Sequence, residues 1–88
     1  MTDSILRPIH PGEFLREEFL IPLNMSAADL ADRLDVAHET IEDIVAEKAP
    51  VTEDIARRLG KHFKTSAEMW IGMQNGYDRK IAARDTDA

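Results

Sequence analysis

The sequence predicts an all-α domain of five helices. Three observations carry that expectation. Apolar residues recur at three- and four-residue spacing along most of the chain. Prolines stand only at positions 8, 11, 22 and 50 and cut it into pieces. No run alternates β-branched and polar residues as a half-buried strand would. The 88 residues fit one domain, 1–88, with 1–8 and 85–88 expected to be flexible ends. An apolar fraction of 43% is ordinary for a globular chain and too high for a disordered one.

The first helix starts at Pro11, where a missing N–H costs nothing, and Pro22 ends it. Phe14, Leu15, Glu18 and Phe19 follow at helical spacing, and Glu13 suits the positive end of the helix dipole. Ser26-Ala27-Ala28-Asp29 opens the second helix as a capping box. Leu30, Ala31 and Leu34 give it an apolar face, and it stops at Asp35-Val36. The third helix, about Ala37 to Glu47, turns Ile41, Ile44 and Val45 to one side. The fourth follows Pro50-Val51, with Thr52 as N-cap, Glu53 and Asp54 in the first turn, and Ile55, Leu59 and Phe63 along one face. Thr65-x-x-Glu68 reads as another capping box before a fifth helix carrying Trp70, Met73, Tyr77 and Ile81.

Residues 27–46 have the spacing of a helix-turn-helix. Ala31 must be small because the next helix crosses it, Leu34 and Val36 fill the corner, and Ile41 and Ile44 anchor the second helix from below. The turn usually carries glycine. Asp35 stands there instead, and aspartate is one of the few other residues that tolerates left-handed backbone.

Four segments carry a resemblance to a known family. They are Arg7-Pro8-Ile9-His10-Pro11-Gly12-Glu13-Phe14-Leu15-Arg16-Glu17-Glu18-Phe19-Leu20 with Pro22-Leu23; Leu30-Ala31 with Leu34 and Val36; Lys48 with Val51-Thr52, Ala56 and Leu59; and Ser66-Ala67-Glu68-Met69-Trp70-Ile71-Gly72-Met73-Gln74 with Tyr77-Asp78. The chain resembles lambda-repressor-like (XRE) helix-turn-helix proteins and, more narrowly, HigA-type antitoxins of type II toxin–antitoxin modules. The opening His-Pro-Gly-Glu and the late Trp-x-x-x-Gln-x-x-Tyr-Asp are its distinctive parts. The resemblance implies a five-helix lambda-repressor-like DNA-binding domain and a homodimeric antitoxin. Such an antitoxin neutralises a small basic RelE-like ribonuclease toxin and binds its own operator DNA as an autorepressor. On this reading Ala37, His38, Glu39, Thr40, Asp43 and Lys48 face DNA, and Met69, Met73 and Tyr77 face the second protomer.

The charge complicates that picture. Eleven Lys and Arg against 17 Asp and Glu give a net charge of −6. Residues 1–25 carry −2, residues 26–48 carry −5 and residues 49–88 carry +1. The helix-turn-helix segment that should read bases is therefore the most acidic part of the chain. Carboxylates cannot donate to base edges, and phosphates repel them; they can accept from cytosine N4, but that pairing is a minority choice. Arg33, Lys48, Arg57, Arg58 and Lys61 are candidate phosphate contacts. His38 suits a base contact or a plain surface histidine, and Lys48 a phosphate contact or a solvated lysine near a helix C-terminus. Trp70, Met73 and Tyr77 read as core or as partner surface, and Gly72 and Gly76 on the same helix suit close helix–helix approach or chance.

Two other functions remain open: an interaction module that has kept the scaffold but lost DNA reading, and a stand-alone helix-turn-helix regulator. The chain contains no cysteine, which excludes disulfides and thiolate chemistry. His10, His38 and His62 lack metal-ligand spacing, so no metal or cofactor is expected. Carboxylates such as Asp29 and Glu42 have no accompanying nucleophile, so no enzyme is expected either. There is no signal-like N-terminus and no apolar run long enough to span a bilayer, which makes a cytoplasmic protein the expectation.

Overall fold

The computed structural model describes residues 8–87, with side chains described through residue 83. It contains five helices and, among the described residues, no strand. They are α1 (Pro11–Leu15), continued by a π-helical stretch (Arg16–Leu20), α2 (Ala27–Leu34), α3 (His38–Val45), α4 (Glu53–Phe63) and α5 (Ala67–Asp87).

The start of α1 is built by three consecutive residues. His10 is the N-cap and its Nδ1 accepts the Gly12 N–H at 2.9 Å. Pro11 fills N1, where no donor is needed. A Cβ on Gly12 would lie 1.7 Å from the Ile44 carbonyl oxygen, so only glycine lets α1 approach the end of α3. Past Leu15 the ladder widens: the Ile21 N–H reaches the Arg16 carbonyl and the Met25 N–H reaches that of Leu20. This stretch carries Phe19 onto Phe63 and Trp70, with ring centroids at 4.4 and 5.8 Å. Phe14 completes the aromatic cluster.

The expected caps hold at two helices. Ser26 and Asp29 form the reciprocal capping box of α2, and the Thr52 hydroxyl accepts the Ile55 N–H at the start of α4. The cap of α5 differs from the expectation. Ser66, not Thr65, is the capping residue: its hydroxyl accepts the Met69 N–H at 3.0 Å. The Thr65 hydroxyl instead accepts the Trp70 indole N–H at 2.8 Å. Burial of the tryptophan decides this, because a buried indole N–H needs an acceptor and Thr65 is the hydroxyl within reach. The helix also runs on to Asp87, so backbone 85–87 is helical where a frayed tail is expected; residues 1–7 and 88 lie outside the described residues. Pro8, expected within the flexible N-terminal end, is buried.

Leu15, Leu30, Ala31, Ile41, Ala56, Leu59 and Trp70 are all fully buried and form the centre of the core. Gln74 fastens α5 to it: its Oε1 accepts the Val51 N–H at 2.8 Å and its Nε2 donates to Asp78 at 3.0 Å. Tyr77, the next member of the late motif, meets His10 edge-on at 4.9 Å. The distinctive Trp-x-x-x-Gln-x-x-Tyr-Asp pattern is thus a set of attachments between α5, the entry to α4 and the start of α1.

Candidate nucleic-acid interface

Helices α2 and α3 form the helix-turn-helix that the spacing predicts. Ala31 is completely buried where α3 crosses, and Leu34, Ile41 and Ile44 are buried around it. Asp35 has φ 60° and ψ 49°, the left-handed conformation expected of the turn. The Val36 N–H closes the corner on the Ala31 carbonyl at 3.0 Å.

Both motif helices end on carbonyls with no partner inside the helix, and an arginine from outside the motif meets each. The Arg58 guanidinium of α4 donates to the Leu34 carbonyl at 2.7 Å and pairs with Asp54 at 3.0 Å. Arg16 donates to the Val45 carbonyl at 2.5 Å and faces Glu17 and Glu47. A cation at a helix C-terminus is also favoured by the dipole. These roles are not visible in the sequence, because the partners lie 24 and 29 residues away along the chain.

The outward face carries the residues singled out as DNA-facing. Ala37, at the N-cap of α3, and His38, Glu39 and Asp43 are exposed, Thr40 is half-buried, and Lys48 is exposed just beyond the helix. Glu42 is exposed on the same helix. His38 is not a solitary surface histidine. Its Nε2 lies 2.8 Å from the Asp32 carboxylate of α2. That hydrogen bond and the charge of Asp32 hold the His38 pKa above the usual 6.5. A carboxylate late in the first motif helix, opposite the first residue of the second, is the sequence signal for this pair.

Of the candidate phosphate contacts, two are occupied within the chain. Arg57 pairs with Glu53, and Arg58 is held as described. Arg33, Lys48 and Lys61 form no ion pair among the described residues. Arg33, Arg58, Lys61 and His62 gather around Leu34 in an open depression of about 460 Å³. No group of residues arranged to hold a metal ion occurs among the described residues. On α5, Met69, Met73 and Tyr77 are half-buried, so part of each remains at the surface.

Known proteins share this fold. No family model matches the chain. Virulence-associated protein I of Dichelobacter nodosus is 47% identical over 77 residues, which span 88% of this chain and 71% of that protein. The Pseudomonas aeruginosa antitoxin HigA, solved with the higBA promoter, is 44% identical with a TM-score of 0.89, covering 92% of this chain and 88% of that one. A HigA-family antidote protein from Coxiella burnetii is 40% identical with a TM-score of 0.87, over 92% and 88% of the two chains. The chain belongs to the HigA antitoxin family. The helix-turn-helix of this member is whole, its turn residue Asp35 is left-handed, and α3 presents the acidic side chains Glu39, Glu42 and Asp43.

Proposed function

We propose that this protein is the antitoxin and transcriptional autorepressor of a type II toxin–antitoxin module. It docks α3 in the major groove of its own operator, with Ala37, His38, Glu39, Thr40 and Asp43 against base edges and Lys48 against a phosphate. It neutralises a basic RelE-like ribonuclease toxin and acts as a homodimer through Met69, Met73 and Tyr77 of α5. It works in the cytoplasm, where its operator lies, and performs no catalysis. The observation that carries this reading is the likeness, along nearly the whole chain, to an antitoxin solved on promoter DNA.

The test is binding to a duplex from the protein's own promoter, read by anisotropy over a range of salt. A specific complex is expected, and its affinity should fall in His38→Ala, Thr40→Ala and Lys48→Ala variants. No complex at any salt overturns the repressor role. Co-purification with the product of the adjacent reading frame tests the antitoxin role. A second reading, an interaction module without DNA reading, is favoured by the acidic exposed residues Glu39, Glu42, Asp43 and Glu47. It predicts partner binding without operator binding. A stand-alone regulator predicts the reverse, with no toxin gene beside it.

A further inference from the structure

His38 is the first residue of α3, and helix-turn-helix docking brings the N-terminal residues of the second helix to base edges. Its ring is half exposed, yet it is held in place: Nε2 sits 2.8 Å from Asp32 Oδ1. An ionised carboxylate only accepts hydrogen bonds. The proton of a neutral His38 therefore belongs on Nε2, and Nδ1 is the ring's remaining polar atom. In the neutral ring Nδ1 accepts; in the charged ring it donates.

The surroundings make that difference matter. Glu39, Glu42 and Asp43 offer only acceptors, and Ala37 offers nothing. Thr40 is half-buried. Guanine presents two acceptors in the major groove and phosphates present only acceptors, so both demand donors, which among the proposed DNA-facing side chains only the Thr40 hydroxyl and the Lys48 ammonium supply beside His38. Cytosine N4 and adenine N6 donate and would satisfy a neutral Nδ1.

We propose that the Asp32–His38 pair is a proton-dependent specificity element of the reading helix. With the ring charged, Nδ1–H donates to guanine or to a phosphate; with the ring neutral, the same atom accepts from cytosine or adenine. Asp32 fixes both the ring orientation and the tautomer without touching DNA, which makes it a positioning residue. The charged groups acting on the ring are Asp32 and Asp29 of α2 and Glu42 of α3, all negative, and together they favour the charged ring. This inference rests on operator binding as proposed above and adds to it which base edge is read and when.

The experiment measures operator affinity from pH 5.5 to 8.5 at constant ionic strength, for wild type, His38→Gln and Asp32→Asn, with the ring tautomer read by nitrogen NMR of the DNA-free protein. The wild-type affinity is expected to change by at least about fivefold across this range, tighter at the acid end where the operator offers guanine or a phosphate to Nδ1 and tighter at the alkaline end where it offers cytosine or adenine. His38→Gln, which can donate and accept at every pH, should bind with that dependence removed. Asp32→Asn, which removes the charge but keeps an oxygen able to accept from Nε2–H, should move the midpoint down towards 6.5. Operator binding that is flat with pH, or equally steep in His38→Gln, overturns this inference and leaves the repressor role standing. An Nδ1–H tautomer in the wild type also overturns it. Absence of operator binding at every pH overturns the repressor role and this inference with it.

Discussion

His10 joins three parts of the fold through one imidazole. It is 3% exposed, caps α1 through Nδ1 and meets Tyr77 of α5 edge-on. Burial pushes its pKa below the usual 6.5, outweighing Glu47, Asp78, Glu13 and a backbone hydrogen bond with Ala49, which act the other way. The linkage follows from that direction. Between the folded and unfolded values the unfolded chain binds a proton that the folded chain does not, so stability rises with pH there. The contribution of His10 is therefore complete above pH 6.5 and is lost as pH falls towards its folded value. Urea unfolding at pH 7 and pH 5.5 should show an acid loss that His10→Asn, which keeps a capping oxygen but does not titrate, largely removes. His10→Ala should cost about 1–2 kcal/mol at pH 7 through the lost cap. Beside it, Gly12→Ala should cost about 3 kcal/mol or more, because its Cβ would strike the backbone of Ile44 rather than a movable side chain. His38 titrates in the opposite sense: its raised value favours folding below pH 6.5 and loses that effect as pH rises through it.

At the scale of elements, the two motif helices are held at their C-termini by Arg16 of the π-helical stretch and Arg58 of α4. Arg58→Ala should cost about 1 kcal/mol, since the hydrogen bond to Leu34 is charge-assisted but partly exposed and the pair with Asp54 adds little. It should also speed amide exchange in the last turn of α2. Because its guanidinium sits on a carbonyl, the salt dependence of DNA binding should keep its slope in Arg58→Ala. In Lys48→Ala the slope should fall by about 1. A fall in slope in Arg58→Ala would instead make Arg58 a phosphate contact. On α5, a Cβ at Gly72 or Gly76 meets nothing within 4 Å inside the protomer. Gly72→Ala should therefore stabilise the dilute protomer by roughly 1 kcal/mol through helix propensity. Gly72 neighbours Met69 on the helix surface, three residues on, so the same methyl should weaken self-association in sedimentation. Unchanged self-association removes that face from the proposed dimer contact. The helices, the turn at Asp35 and the caps at Ser26 and Thr52 were legible because each depends on residues within four positions of one another. The π-helical stretch, the Thr65–Trp70 bond, the Gln74 anchor and both arginine caps were not. Each answers a demand set by tertiary packing, and sequence spacing does not record which buried donor or carbonyl lacks a partner.

At the scale of the molecule, the net charge of −6 resolves into an arrangement. The −5 of residues 26–48 is the helix-turn-helix itself, and the outward side of α3 holds Glu39, Glu42 and Asp43. Phosphates docked around α3 would face these carboxylates, against the candidate contacts Arg33, Lys48 and Lys61, which form no ion pair among the described residues. The repressor should therefore show a shallow salt dependence and bind random duplex weakly. The toxin proposed above is basic, and the same carboxylates would draw it in by long-range attraction. Reversing Glu39 and Asp43 to lysine separates the two uses of this face. Both positions are exposed and outside the core, so the variant should remain folded. Random-duplex affinity should rise, with a salt slope steeper by up to about 2 if both new cations reach phosphates. Toxin capture should fall, most of all at low salt, where steering is strongest. Anisotropy on random and promoter duplexes, beside co-purification with the neighbouring gene product, reads both effects in one protein. If toxin capture survives at every salt while duplex affinity rises, the acidic face governs DNA alone and the toxin binds elsewhere. If capture fails as duplex affinity rises, one surface serves both partners, and operator and toxin must compete for it.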